Sequence, residues 1–427
     1  MKTPAPSVAD GPPPDPPIVE EFAEAARAWL AAHADEAGPE QRAWGEGSDD
    51  VSVFHRLSFA EEQALLERAM AWQQAKYDAG YGAITWPACW GGAALTAAHE
   101  RAFHEVEAGF ATPEGHETFA VTVSLVAPTV RIFGRPDQQA RFVRRFLRAE
   151  ELCCQLFSEP GAGSDLAGLA TRAERVKGDG DWVISGQKIW SSGAQFARWG
   201  ELIARTDPAA PKHAGMTAFL VPLDGPGVEV RPIRQMSGGS SFSEVFLTDV
   251  RISDELRLGE VGQGWKVALT TLGFERGGSG GRGVGGSWER LLGLARWLGR
   301  TDDPLIRQRL ASVYIHQRIR SMNAARVEAA AASGQPPGPE GSIGKLMWAA
   351  GLTEIGEVAA GLLGPRLIAD TGEWGTFAWN DHLLGAPGYR IAGGSDEIQR
   401  NIIAERVLGL PGDIRIDRGV PWRDIPR

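Results

Sequence analysis

Three short stretches of this 427-residue chain carry the residue types needed to grip a flat, polar ligand. The first is Cys154-Gln155-Leu156-Phe157-Ser158-Glu159-Pro160-Gly161-Ala162-Gly163-Ser164-Asp165, an apolar, strand-like run that passes into a loop of small residues and donors. Pro160 removes an amide and fixes φ, whereas Gly161 and Gly163 let the backbone come close to a ring. The hydroxyls of Ser158 and Ser164 can meet carbonyls and ring nitrogens. The second stretch, Gln187-Lys188-Ile189-Trp190-Ser191-Ser192-Gly193-Ala194, offers an indole face and two more hydroxyls. The third is Ile391-Ala392-Gly393-Gly394-Ser395-Asp396-Glu397-Ile398-Gln399-Arg400. There Ser395 suits an N-cap and the acidic residues suit a first helical turn.

The elements that must position these stretches fall into three regions. A chain of this length needs two or three domains. Hydrophobic content of 43% with 23% charged residues is that of an ordinary globular protein. A net charge of −10 without a basic tail speaks against nucleic acid as a partner. An anionic ligand is still possible, held by local arginines and helix N-termini. Of the three cysteines, Cys153 and Cys154 are adjacent and Cys89 stands apart, so neither a disulfide framework nor a metal-ligand spacing is present. A cytoplasmic protein without metal is expected. No apolar run reads as a bilayer span, and the Pro-rich start is not a signal peptide.

Residues 1–17 should be disordered or extended. Residues 18–150 read as an α-helical domain. Phe22, Ala25, Ala26, Trp29 and Leu30 share one helical face, Glu61–Tyr77 repeats the period, and Gly80 can stop it. Thr96–Ala108 is a further helix, and Pro136 suits a first turn. Residues 151–258 turn to short β-rich runs, among them Trp182-Val183-Ile184, Leu202-Ile203-Ala204 and Thr217–Val221, with Gly178-Asp179-Gly180 as a turn. No helical pattern lies between them, so a small antiparallel barrel or sandwich is expected. Residues 259–427 return to helix, at Trp265–Arg276, Pro304–Glu328, Ile343–Leu363 and Ile398–Leu408, with a three-proline loop at Ser333–Gly341. The fold class is α+β multidomain, with a four-helix-bundle-like C-terminal domain.

Together, in this order, the three stretches resemble the acyl-CoA dehydrogenase family of flavoproteins, over about Pro17 to Pro411. The resemblance implies FAD lying between the β domain and the C-terminal bundle and touching a second subunit. It also implies removal of a proton and a hydride from the α and β carbons of an acyl-CoA. By resemblance, Phe157, Ser158, Gly163 and Ser164 lie along the flavin and ligand, Trp190 packs on the ring, and Ser192 faces its N5 region. Ser395 and Glu397 contact the flavin. Leu363-Gly364 and Gln308 reach a neighbouring subunit's diphosphate, with Arg296 or Arg300 beside it.

The sequence departs from much of the family at Gly393, where a catalytic Glu commonly stands. Some relatives, the isovaleryl type among them, carry the base on a helix opening the C-terminal domain, directly before an Arg. Phe274-Glu275-Arg276 matches that point, which makes Glu275 the expected base and leaves Arg276 to coenzyme A or to an acidic partner. The Gly393 amide is implied as a donor to the thioester oxygen. Ala268 and Thr271 are small enough to leave room for the ligand. Gly278-Ser279-Gly280-Gly281-Arg282-Gly283 matches a dinucleotide pattern without the strand that should precede it, so the match is accidental. The expected partners are acyl-CoA, an electron-transferring flavoprotein or similar acceptor, and further copies in a homodimer, homotetramer or mixed assembly. Two alternatives share the fold: a flavin monooxygenase or oxidase, and a non-catalytic subunit of a mixed assembly.

Overall fold

The computed structural model describes residues 17–38, 51–178, 180–277, 284–333, 338–369, 376–415 and 417–425. The Pro-rich start before Pro17, Asp179, the run from Gly278 to Gly283 and residues 334–337 of the three-proline loop lie outside them. The chain divides into two compact units, Met1–Glu40 with Trp72–Pro113 and Gln41–Ala71 with Glu114–Arg427.

In the first unit, α1 (Val19–His33) buries Phe22, Ala26 and Leu30, spaced four apart on one face. α2 (Phe59–Asp78) stops just before Gly80, whose φ is +86°. Phe103 and Val106 of α3 (Ala97–Glu107) complete this core. Glu107 Oε1 accepts from Trp72 Nε1 and Lys76 Nζ, both at 2.9 Å, which ties α3 to the last turns of α2.

The second unit includes the first part of α2, up to Ala71, and from Glu117 a continuous helical run: α4 (Glu117–Ala120), a π-helical turn at Val121–Val126, and α5 (Ala127–Phe133). α6 (Pro136–Leu147) begins on Pro136, where a missing N–H is harmless. Then come β1 (Cys153–Leu156), β2 (Arg172–Arg175), β3 (Trp182–Ser192), β4 (Trp199–Arg205), β5 (Met216–Pro222), β6 (Val228–Ile233), β7 (Phe242–Ile252) and β8 (Arg257–Leu258). They form one sheet in the order β6-β7-β3-β2-β4-β5-β8, with β1 paired to β4. The pairing is mainly antiparallel, as short strands joined by turns require. β1 and β2 nevertheless run parallel to β4, because neither is joined to it by a hairpin. Every residue of β4 is buried, as in a strand covered on both faces.

α7 (Gly264–Gly277) lies so close to β5 that a Cβ on Gly264 would sit 2.7 Å from Thr217 N. α8 (Trp288–Trp297), α9 (Pro304–Ala332), α10 (Gly341–Leu363) and α11 (Thr376–Ile391) share a core that includes Leu294, Leu310, Ile355 and Trp379. α12 (Asp396–Ile402) closes the bundle and runs into a π-helical turn at Ile403–Val407. Gly285 and Gly286 are close-packing residues. Their Cβ atoms would lie 2.6 Å from His382 Nδ1 and 2.5 Å from the Trp379 ring.

One expectation is corrected. Gly341–Leu367 is long and apolar enough, by length and composition, to cross a membrane. Its Leu352, Ile355, Val358, Ala359 and Leu362 are buried, so the apolar character builds the helical core.

A buried acid fastens α7 to the sheet. Glu201 of β4 is fully buried, and its Oε1 accepts from Thr271 Oγ1 at 2.7 Å. Thr271 Oγ1 in turn lies 3.0 Å from Thr129 Oγ1 of α5. Glu201 Oε2 has no partner among the described residues. Burial, opposed only by the Thr271 hydrogen bond, pushes this carboxyl up to about 8 from an ordinary 4.5. Between those values the folded protein holds a proton that the unfolded chain has released, so stability falls as pH rises through the window. Glu201→Gln is expected to flatten the decline in melting temperature across that range. A slope equal to wild type in the Gln variant would remove Glu201 from the account.

Candidate active site

The loop after β1 is held from beneath by a buried ion pair. Lys188 of β3, with no exposed surface, donates to Phe157 O at 3.0 Å and to Glu159 Oε1 at 2.8 Å. Glu159 also accepts from the Ala170 and Thr171 N–H groups at 2.7 and 2.9 Å. Burial alone would raise the Glu159 carboxyl, but Lys188 and these donors outweigh it and hold it below the ordinary carboxylate value. Ile189 N–H adds a bond to Ser158 O at 3.0 Å. Phe157 is buried and Ser158 half-buried, whereas Gly163 and Ser164 are exposed. A Cβ on Gly161 or Gly163 would meet nothing within 4 Å, so the loop offers an open backbone face.

Trp190 interrupts β3. The β3–β7 register shifts between Lys188 and Ser191, and Trp190 takes a left-handed φ of +61° with 57% of its surface exposed. That conformation costs a bulky L-residue roughly 1–2 kcal/mol, and such strain gathers at functional sites. Trp190 is thus not a core aromatic. Ser192 Oγ donates to Glu117 Oε1 at 3.0 Å. Gly193 follows with a φ of +59°, and any Cβ there would overlap the Thr118 hydroxyl. Gly193→Ala is expected to cost roughly 2–5 kcal/mol, as overpacking plus left-handed strain, seen as a lowered melting temperature. An Ala variant as stable as wild type would show that the contact relaxes freely.

At the third stretch, Gly393 and Gly394 have φ of +65° and +87°. Their carbonyls are tied down: Lys345 Nζ donates to Gly394 O at 2.6 Å, and Gln399 Nε2 to Gly393 O at 2.9 Å and Gly394 O at 3.2 Å. Neither glycine N–H has an acceptor among the described residues. Free amides on a fixed backbone can receive an oxygen that gains charge. Ser395 caps α12 by accepting from Ile398 N–H at 3.4 Å. The buried Asp396 takes Arg390 Nε at 2.7 Å, and Glu397 is exposed.

A row of rings joins the second and third stretches, and the sequence reading misses it. Trp190 meets Phe242 edge-on at 6.1 Å and Phe242 meets Phe54 at 5.4 Å. Phe54 stacks on Tyr389 at 5.1 Å, and Tyr389 leans on Trp348 at 4.5 Å. Tyr389 stands two residues before Ile391. Gly388 makes the approach possible, since a Cβ there would lie 2.9 Å from the Phe54 ring.

Other expected residues fall differently. Glu275 and Arg276 lie in the last turn of α7, but their side chains lie outside what the structure describes. Ala268 and Thr271 do not border open space as expected; both are fully buried, Thr271 against Glu201. Gln308 is exposed on α9, and Gly364 is exposed after α10 with open space around it. Leu363 sits with its side chain in the helical core, so only its backbone is free to meet a ligand. Arg296 and Arg300 are exposed, and Arg300 pairs with Asp303 at 2.7 Å.

His55, Glu62 and His116 bring possible ligand atoms within 4.8 Å of one another. Hydrogen bonding engages the Glu62 carboxylate and both His116 nitrogens, and leaves His55 Nδ1 without a partner among the described residues. His55 Nε2 and His116 Nε2 approach the same Glu62 Oε1 at 3.0 and 2.8 Å. Thr118 N–H donates to His116 Nδ1 at 3.2 Å, so the His116 proton is on Nε2, where a metal ligand would need a lone pair. Burial would raise Glu62, but the two histidines overcome it and bring the carboxyl down to about 2.

Three family models match this chain: acyl-CoA dehydrogenase, N-terminal domain, over residues 53–150; the middle domain over 154–250; and the C-terminal domain over 262–408. The acyl-CoA dehydrogenase IpdE1 of Mycobacterium tuberculosis is 41% identical over 403 residues, 93% of this chain and 99% of that protein. The chain belongs to the acyl-CoA dehydrogenase family. This acyl-CoA dehydrogenase is also 40% identical to acyl-CoA dehydrogenase FadE34 of the same organism, over 82% of this chain and 47% of the relative. Among solved structures it is similar to the Tcur3481-Tcur3483 steroid ACAD, with a TM-score of 0.72 and 26% identity over 93% of this chain and 99% of that one. The ChsE4-ChsE5 complex from Mycobacterium tuberculosis gives 0.67 and 25%, over 94% and 100%. The helical, sheet and helical regions are therefore those of the acyl-CoA dehydrogenase fold, whose members are flavoprotein oxidoreductases of lipid metabolism.

Proposed function

We propose that this chain carries out FAD-dependent α,β-dehydrogenation of an acyl-CoA thioester and passes the electrons to an electron-transferring flavoprotein or a similar acceptor. The observation that carries the reading is Trp190: a strained, exposed indole beside an open glycine loop, which the chain's own packing does not require. That arrangement fits one side of a flat ring. Phe157, Ser158, Gly163, Ser164, Trp190 and Ser192 would hold the flavin from this chain, with Ser395 and Glu397 at the start of α12. Gln308, Leu363 and Gly364 would serve a neighbouring subunit. FAD, when bound, supplies the hydride acceptor.

The protein's own groups supply the rest. Glu275 removes the α proton as base. The Gly393 N–H, its carbonyl pinned by Gln399, meets the thioester oxygen as charge builds there. Arg276 meets coenzyme A. With no side chain at Gly393, volume is left for a bulky acyl group, and the likeness to a steroid ACAD supports a steroid-derived chain. A homo-oligomeric or mixed assembly in the cytoplasm fits the likeness to the ChsE4-ChsE5 complex and the scarcity of cysteine.

The test is an absorption spectrum of the purified protein before and after anaerobic addition of straight-chain, branched and steroid-derived acyl-CoA esters. A yellow protein bleached by the bulky esters is the expected result. A colourless protein would turn the reading toward a non-catalytic subunit, and fast reoxidation in air with ligand bound toward an oxidase.

A further inference from the structure

Glu117 is a charged residue at the candidate site that neither the fold nor the proposed chemistry uses. It opens α4, and its Oε1 accepts the Ser192 hydroxyl at 3.0 Å. No hydrogen bond or ion pair reaches Oε2 among the described residues, and the residue is open to solvent. Protein nevertheless crowds around it: lost hydration raises its pKa, and Glu62 adds to this, while Ser192, His116 and His55 oppose it. The two histidines are already engaged with Glu62 Oε1, so neither serves Glu117 as an ion-pair partner. The carboxylate therefore keeps one unused acceptor oxygen, one hydrogen bond away from the strand end that carries Trp190.

An unbranched alkyl chain laid over this oxygen would strip its water and return nothing. A hydroxyl on the ligand would instead donate to it, in a hydrogen bond strengthened by the negative charge. We propose that Glu117 is a specificity-determining residue that selects acyl-CoA esters bearing a hydroxyl on the acyl part. This inference rests on the dehydrogenase reading for the identity of the ligand. It adds the chemical class of the acyl group.

The experiment uses the full-length purified protein. Probes are acyl-CoA esters with a hydroxyl at successive carbons beyond the β carbon, the matching unsubstituted esters and the matching keto esters. Dissociation constants come from calorimetry, and flavin bleaching is followed separately. Wild type should bind one hydroxy ester more tightly than its unsubstituted and keto partners. Glu117→Ala should reduce that preference roughly 10- to 100-fold, the range expected for one hydrogen bond to a charged group. The preference is a ratio within each variant, so a general loss of stability cancels.

A hydroxyl preference that survives Glu117→Ala overturns the proposal. So does a stronger response to keto esters. Selective binding without bleaching would sink the dehydrogenase reading and leave this one standing. Bleaching without selectivity does the reverse.

Discussion

Glu275→Gln is expected to give a yellow protein whose flavin acyl-CoA reduces roughly 10²–10⁴-fold more slowly than in wild type. The substitution keeps size and polarity and removes only the ability to take a proton. α7 is held upstream of the change: Val267 and Ala268 are fully buried, Thr271 is bonded to Glu201, and Gly264 sits on the β5 backbone. A substitution in its last turn should leave the fold intact, and an unaltered melting temperature and flavin content would confirm that. Rapid mixing under anaerobic conditions then reads the reductive step alone. Glu275→Asp should fall between the two, because it keeps a carboxylate on a shorter arm. Bleaching of the Gln variant at the wild-type rate would assign proton removal elsewhere, and Glu117 would be the next carboxylate to replace.

The second large effect is expected at Lys188. Lys188→Met fills similar space but leaves Glu159 buried beside a partner that no longer carries charge. Removing one member of a buried pair typically costs about 3–5 kcal/mol. Here the loss should also loosen the loop, because Lys188 bonds Phe157 O and Glu159 bonds the Ala170 and Thr171 amides. The variant should melt lower and be purified with much less flavin. Adding Glu159→Gln should restore part of the stability by removing the stranded charge, and the non-additivity would measure the coupling. A Lys188→Met protein with full flavin content would show that the loop holds its shape unaided.

Much of this architecture was legible because local pattern and tertiary role agree. The runs at Trp182, Leu202, Thr217, Val228 and Val245 are strands, and Phe22, Ala26 and Leu30 face a core. The helices at Trp288–Trp297 and Thr376–Ile391 were not picked out. The first follows a glycine-rich stretch, and the second contains Gly385, Pro387 and Gly388, which read as breakers. Gly385 and Gly388 are there because Val53 and Phe54 press against them. Val121-Thr122-Val123-Ser124-Leu125-Val126 is β-branched enough to suggest a strand, yet it forms the π-helical turn before α5.

At the site, the glycine loops and Trp190 stand out locally. Glu117, the Lys188–Glu159 pair and the ring row depend on contacts between distant residues. Nothing near Phe54 announces Tyr389, and nothing near Ser192 announces Glu117. The base assigned at Glu275 rests on its motif, not on the neighbouring Ala268 and Thr271, which face inward.

The ring row also sets a dimension. From Trp190 through Phe242 and Phe54 to Tyr389, each step is a fixed contact between rigid plates of between 5.1 and 6.1 Å. Two of these steps are edge-on and one is stacked, so the spacing from the indole to the Tyr389 ring is carried by direct ring-to-ring contact. Swapping Phe242 for a slimmer side chain would open a gap between Trp190 and Phe54 and uncouple the indole from the chain ahead of Ile391.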